Sequence, residues 1–322
     1  MRAFVSGAAG FIGSSLVDHL LDLGHEVVGV DAFTAYYERA RKEANLTRAR
    51  AHDSFTLHER DLRTDAVDDI LEGVDVVFHQ AGQPGVRLSW SDGFAEYDSC
   101  NVLATQRLLE ATRRVDDRGD SAIRRFVFAS SSSLYGNAPS YPTTETDLPK
   151  PHSPYAVTKL AAEHLCGLYA SNWGIPTVAL RYFTVYGPRQ RPDMAIQRLL
   201  HAALTGTPFP RFGDGSQIRD FTFVGDVVRA NLAAATVPAL EPGQVFNIAG
   251  GGSIAMAALI DLVAELVGHV VPIDPLEERA GDVQRTGGSI ERAAQALGWR
   301  PEVSIRAGVA AQLDWVRAGE GR

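Results

Sequence analysis

Lysine is nearly missing from this 322-residue chain. Lys42, Lys150 and Lys159 stand against twenty-eight arginines. A lysine kept in such company suggests a site that needs a compact charge with a tunable pKa, not a planar fork. Cysteine is equally scarce. Cys100 and Cys166 lie far apart in segments that read as helical. Two such residues make no disulfide framework and read as packing residues in a reducing, cytoplasmic compartment. The nine histidines show no metal-ligand spacing with Cys or carboxylates, so no metal is expected. No apolar run reaches the ~18 residues that a membrane span needs, and the chain opens on a strand-like segment in place of a charged-then-apolar leader. A basic excess is lacking too. The net charge of −8 gives no footprint for nucleic acid or an anionic membrane.

What remains is an ordinary soluble composition, 45% hydrophobic and 22% charged. The length is too great for one small core and predicts a large α/β domain with a smaller one. Segments 3–6, 26–31, 55–58, 74–79, 125–130 and 177–181 read as strands. Segments near 11–23, 38–50, 91–118 and 154–173 read as helices. That alternation implies a parallel sheet covered on both faces, of Rossmann type. After about residue 184 the rhythm changes: Pro and Gly cluster in 205–215, and helices follow near 194–205, 225–236, 255–267 and 290–298. The expected division is 1–183, with a return segment near 244–250, and 184–322 as a smaller α/β substrate-binding domain.

Tyr155 and Lys159 are four residues apart, so phenol and ammonium project from one helix face. Ser153 and Pro154 read as an N-cap and first-turn proline. A positive charge beside a phenol favours phenolate and makes Tyr a base near neutral pH. The alternative is a solvated Lys that happens to follow a Tyr. Gly7, Gly10 and Gly13 lie between a strand and a helix, where glycines let backbone approach a pyrophosphate. Asp31 ends the next strand, eighteen residues past Gly13. Its carboxylate suits the hydroxyls of an adenosine ribose and repels a 2′-phosphate, which favours NAD over NADP. Four consecutive hydroxyls, Ser130 to Ser133, follow the fifth strand at the sheet edge where such folds bind ligands; a polar turn is the plainer reading.

Together with Asp61-Leu62, His79 to Gly82, Asn101, Arg219-Asp220-Phe221, Asn247 and Arg279 to Asp282, these residues resemble the extended short-chain dehydrogenase/reductase family of nucleotide-sugar enzymes. The resemblance covers essentially the whole chain. It implies NAD as cofactor, a UDP-sugar substrate and a homodimer built on the helices near 91–118 and 154–173. It implies Tyr155, Lys159 and Ser131 as the catalytic set. Gly7, Gly10, Phe11, Ile12, Gly13, Asp31, Asp61, Leu62, Gln80, Ala81, Gly82, Asn101, Tyr182 and Val185 would join Tyr155 and Lys159 in holding the cofactor. Gly85, Val86, Arg87, Ser131, Ser132, Ser133, Thr184, Arg191, Arg219, Arg279 and Asp282 would meet the substrate, with Arg219 and Arg279 on its diphosphate. Both could otherwise be surface ion-pair formers. Ser6, Gln80 and Gly82 depart from the usual family residues.

Family members share hydride removal from C4 of a pyranose and differ in the fate of the 4-keto sugar. By the resemblance, 4,6-dehydratases carry an Asp-Glu pair after the catalytic hydroxyl and glucuronate decarboxylases a Glu. Here those positions are Ser132 and Ser133. The stretch 181–195, with Thr184 where many UDP-glucose/galactose epimerases have Asn, looks like that of UDP-glucuronate 4-epimerases, as does the loop 83–87 apart from Pro84. UDP-glucuronate 4-epimerisation is therefore the expected activity. A UDP-glucose/galactose-type 4-epimerase is the alternative, ahead of a decarboxylase, a dehydratase or a non-catalytic NAD-binding protein.

Overall fold

The computed structural model describes residues 1–238, 240–277 and 283–319. Its strands run β1 (Arg2–Ser6), β2 (Glu26–Asp31), β3 (Phe55–Glu59), β4 (Val76–His79), β5 (Arg125–Ser131) and β6 (Thr177–Tyr182). Then come β7 (Thr184–Tyr186), β8 (Phe209–Phe212), β9 (Ile218–Phe223), β10 (Gln244–Ile248), β11 (Ser253–Ala255) and β12 (Ile273–Leu276). Seven of them form one sheet in the order β10-β6-β5-β4-β1-β2-β3, every pairing parallel. This is a Rossmann-type α/β fold. Parallel strands are covered on both faces, which is why β4 and β6 are buried along their whole length.

Alternation along each strand sorts the core into two layers. Phe4, Val28, Phe126 and Phe128 face the helices Ala104–Asp117 and Pro154–Trp173. Val5, Val27, Phe78 and Val127 face Phe11–Asp22 and Val224–Thr236. A third apolar cluster gathers Tyr186, Leu199, Leu200, Leu259, Val263, Val309 and Leu313 around the sheets β11-β9-β7 and β12-β8. β10 leaves that region and returns to the main sheet beside β6.

The structure departs from the sequence expectations at several points. The helix expected over 38–50 is broken at Leu46 into Arg39–Asn45 and Thr47–Arg50. The one expected near 91–118 is a chain of pieces: 3₁₀ turn Ser91–Gly93, α-turn Phe94–Tyr97, π-turn Asp98–Leu103, then Ala104–Asp117. Periodicity misses the π-turn because its widened step moves only a few residues. The helix Ile305–Arg317 was not foreseen. Its signals are the Ser304 cap, which accepts from the Ala307 N–H, and the stripe Val309, Leu313, Val316.

One buried ion pair joins the layers. Arg181 of β6 donates to Glu163 of the Pro154–Trp173 helix at 2.6 Å, each side chain 6% exposed. Removing one partner of such a pair costs about 3–5 kcal/mol, whereas replacing both with apolar groups is often neutral.

Candidate active site

The strand order reverses between β1 and β4, and the functional side chains collect beyond the carboxyl ends of these strands. Ser6 ends β1. Its hydroxyl bonds His79 Nδ1 at 2.7 Å and accepts from the Ala81 N–H, while His79 Nε2 meets the Thr105 hydroxyl at 2.9 Å. Burial pushes His79 down to about 3, so the ring is neutral and serves as a strut. The Ser6 hydroxyl thus supplies a bridge between the ends of β1 and β4.

Gly7 turns the chain at φ +67°, and a Cβ on Gly13 would stand 2.0 Å from the Gly7 carbonyl oxygen. Only glycine permits that approach of turn and helix. The helix Phe11–Asp22 starts from Gly10 with no side-chain cap. Its first N–H groups have no intrahelical partner and face an anion-binding position. Asp31 accepts from the N–H groups of Ala9 and Phe33 at 3.1 and 2.8 Å, and the Lys42 ammonium sits 3.4 Å away. Asp61 is bracketed by Arg63, which holds its carboxyl below the usual range.

These groups border an open cleft with an empty volume of about 1230 Å³. Gly7, Gly10, Phe11, Ile12, Gly13, Asp31, Asp61, Leu62, Gln80, Ala81, Gly82, Tyr155, Lys159, Tyr182 and Arg191 all line it. Asn101 stands behind the wall, where its amide bonds the Gln83 N–H at 2.7 Å and the Gln83 carbonyl at 3.1 Å. A Cβ on Gly82 would fall 2.7 Å from Asn101 Oδ1 and 3.1 Å from Lys159 Nζ, which explains the glycine. Val185 is buried in β7 and packs in the core. Sequence reasoning missed Lys42, Tyr36, Tyr37, Arg60 and Arg63, which also line the cleft. Lysine scarcity was the signal available for Lys42, and adjacency to Asp61-Leu62 for Arg63. It also missed Asn231, which ties Gln80 to Tyr182 at 2.9 and 3.0 Å.

Tyr155 is the second residue of its helix, set by the Ser153 cap, which accepts from the Ala156 N–H, and by Pro154. Its ring stands edge-on to Tyr97 with centroids 6.1 Å apart. Burial pushes the phenol up, and the Ser131 hydroxyl and then the Arg191 charge pull it down. The sequence expectation placed Lys159 in that electrostatic role. In the structure Lys159 donates to the Ala129 carbonyl at 3.0 Å, and burial pushes its ammonium down to about 8. Arg191 is a charge that acts on the phenol.

Of the expected substrate contacts, Ser131 and Ser133 share a 2.6 Å hydrogen bond at the end of β5, and Ser132 opens the turn that follows. Gly85, at φ +96°, and Val86 carry the chain to Arg87, whose guanidinium stacks 4.8 Å from the Phe212 ring of β8. Thr184 opens β7 opposite Phe221. Arg191 pairs with Asp193 at 3.0 Å, and Arg219 donates to the carbonyls of Ile218 and Gln284. Arg279 and Asp282 lie outside the described residues. Among the described residues no group of three or more His, Cys, Asp or Glu is placed to hold a metal, and no helix is long and apolar enough to cross a membrane.

A model of the NAD dependent epimerase/dehydratase family matches residues 3–249. The chain belongs to that family. Along 98% of its own length and 98% of the relative's, it is 41% identical to the Bacillus subtilis protein described as an uncharacterized UDP-glucose epimerase, YtcB. It is 38% identical to UDP-glucuronic acid 4-epimerase from Bacillus cereus, solved with UDP-glucuronic acid and NAD, with a TM-score of 0.94 over 99% of each chain. MoeE5, solved with UDP-glucuronic acid and NAD, is 41% identical with a TM-score of 0.88 over 99% of this chain and 100% of that one. A second MoeE5 structure holds UDP-glucose and NAD. This protein is accordingly an epimerase-type isomerase that uses NAD. The residues present fit that cofactor: an uncapped helix start for the pyrophosphate and a buried carboxylate at the ribose end.

The Asp31 carboxylate gives a direct expectation. Calorimetric titration should show NAD binding at least about tenfold more tightly than NADP, a difference of ~1.4 kcal/mol. Tighter binding of NADP would overturn the reading of Asp31.

Proposed function

We propose that the protein converts UDP-glucuronate to UDP-galacturonate through a 4-keto sugar. The observation that carries this is the neutral hydroxyl cluster beside Tyr155. Ser131 and Ser133 are hydrogen-bonded to each other, and no carboxyl group occupies position 132 or 133. Elimination and decarboxylase chemistry have no acid or base there. Hydroxyls can still hold a sugar carboxylate without neutralising it, and Arg191 supplies a cation on the same side of the cleft. The B. cereus and MoeE5 structures with UDP-glucuronic acid support this substrate. The second reading, a UDP-glucose/galactose-type 4-epimerase, draws support from the B. subtilis relative and from the MoeE5 complex with UDP-glucose.

In this reading Gly7, Gly10, Gly13 and Asp31 hold NAD, which supplies reversible hydride acceptance at C4. Tyr155 takes the C4-hydroxyl proton as phenolate and later returns one. Ser131 orients that hydroxyl, and Lys159 fixes the ribose end nearest the reaction. Residues 184–322, apart from the returning β10, hold the nucleotide sugar, with Arg219 on the diphosphate while the 4-keto ring turns its other face. Glucuronate adds a hazard, because its 4-keto form is a β-keto acid. Loss of CO₂ breaks the C5–C6 bond and passes its electron pair to the ketone. Thr184 and Ser133 restrain the carboxylate so that this bond stays out of line with the ketone π system.

We further propose a homodimer through the helices that follow β4 and β5. On these helices Leu108 is buried and Leu165 packs on the core, whereas Leu103 and Leu168 are 45% and 52% exposed. Light scattering at micromolar concentration should give twice the 34.8 kDa chain mass, and a monomer would remove this proposal.

Purified protein given UDP-glucuronate without added NAD should yield UDP-galacturonate with little UDP-pentose by chromatography. Tyr155→Phe should lower turnover at least ~10²-fold while UDP-sugar still binds, because the proton acceptor is gone and the shape is kept. Near-normal turnover would refute the assignment of the base. Faster epimerisation of UDP-glucose than of UDP-glucuronate would instead favour the second reading.

Thr184→Ala or Ser133→Ala should raise the share of decarboxylated product relative to epimer. The shift is modest, since one neutral hydrogen bond contributes about 0.5–1.5 kcal/mol net. An unchanged product ratio in both variants would remove the restraint argument.

A further inference from the structure

Tyr155, Lys159 and Glu163 recur every four residues along one helix, and three successive residues of β5 answer them. Ser131 acts on the Tyr155 phenol, the Ala129 carbonyl accepts from Lys159 at 3.0 Å, and the Ser130 hydroxyl donates to Glu163 Oε2 at 2.6 Å. Helix and strand are therefore tied at three levels. The third level is the most elaborate. Glu163 also accepts from Arg181 Nε and Nη2, and Arg181 Nη1 donates to the Tyr135 hydroxyl at 2.7 Å. Tyr135 in turn donates to Asn247 of the returning β10 at 2.7 Å. Ser130 and Arg181 are register partners in β5 and β6, followed by the pair Ser131 and Tyr182.

We propose that Glu163 is a positioning residue for this active site, holding Ser130, and through it Ser131, at the height where the Ser131 hydroxyl meets the Tyr155 phenol. Stability alone does not call for the arrangement, since a buried ion pair gains little over well-packed apolar groups. The geometry supplies a second reason. One carboxylate is fixed from two directions, by a guanidinium on β6 and a hydroxyl on β5. It ties Ser130 of β5 to Arg181 of β6, the residues that precede Ser131 and Tyr182. A Gln at 163 cannot do the same: its one oxygen can accept from Ser130 and Arg181 Nε as Oε2 does, but its NH₂ then faces the Arg181 Nη2 donor that Oε1 accepts, and the charge opposite Arg181 is lost.

The test compares Glu163→Gln with the double variant Glu163→Leu/Arg181→Met. It reads melting temperature, bound NAD, kcat, KM and the pH dependence of kcat. The substrate is whichever UDP-sugar the wild-type protein epimerises faster, so failure of the glucuronate assignment leaves this test intact. Expected in both variants is a loss of at least ~10-fold in kcat with KM within ~3-fold. The kcat profile should shift to higher pH, because a displaced Ser131 no longer pulls the phenol down. In the double variant this should occur at a melting temperature near wild type. A double variant with wild-type kcat and pH profile would show that the pair only packs, and would overturn the proposal. If the double variant does not fold, Ser130→Ala decides, since it leaves the ion pair in place. A lower kcat with the same pH shift upholds the proposal, and an unchanged profile overturns it.

Discussion

Burial opposes the deprotonation that Tyr155 needs in order to act as a base, and much of the surrounding structure answers that conflict. The phenol is lifted out of its ordinary range by desolvation, and two groups work against the lift. Ser131 does so from the end of β5, and Arg191 does so from the segment that leads to the helix Ala195–Thr205. Neither lies on the helix that carries Tyr155. Their distance from the phenol depends on the packing of that helix against the sheet, so the phenol is tuned by tertiary contacts. Lys159 donates to the Ala129 carbonyl, which clamps helix to strand and leaves two further N–H donors.

The nucleotide end follows a different logic. There the backbone does the recognising, and side chains serve to bring backbone close. The Gly7 turn sits so near the chain after β4 that a Cβ on it would fall 2.9 Å from the Ala81 backbone. Ser6 and neutral His79 hold the two strand ends together across that gap. Asp31 is fixed by two N–H groups of the chain itself, so the fold orients its carboxylate. Preorganisation of this kind reduces the ordering cost of binding.

Much of this was legible in the residues. Short apolar runs alternating with amphipathic stretches specify a parallel sheet, and β2 was readable to the residue, Glu26 to the charged Asp31. The helix Pro154–Trp173 was equally clear, bounded by a Ser-Pro start and by Gly174 in the left-handed region. Where the backbone departs from regular period the sequence was silent, as at the π-turn Asp98–Leu103 that buries Asn101 behind Gly82. The helix Ile305–Arg317 carried a cap and an apolar stripe, yet its role depends on Tyr186, more than a hundred residues away. A Cβ on Gly308 would stand 2.2 Å from that hydroxyl.

The sequence by itself determined the class of the protein: glycines spaced for a pyrophosphate, an acid at the end of the next strand, a Tyr and a Lys on one helix face, and no carboxyl group after Ser131. Those signals are local, because each depends on residues no more than about one strand-helix-strand unit apart. Only the tertiary structure decided which charge acts on Tyr155, that Lys42 stands beside Asp31, and that Glu163 reaches Ser130 and Arg181 together. Such couplings join side chains from different strands and helices. Their energies turn on distances and on the loss of water between them, which no spacing along the chain encodes.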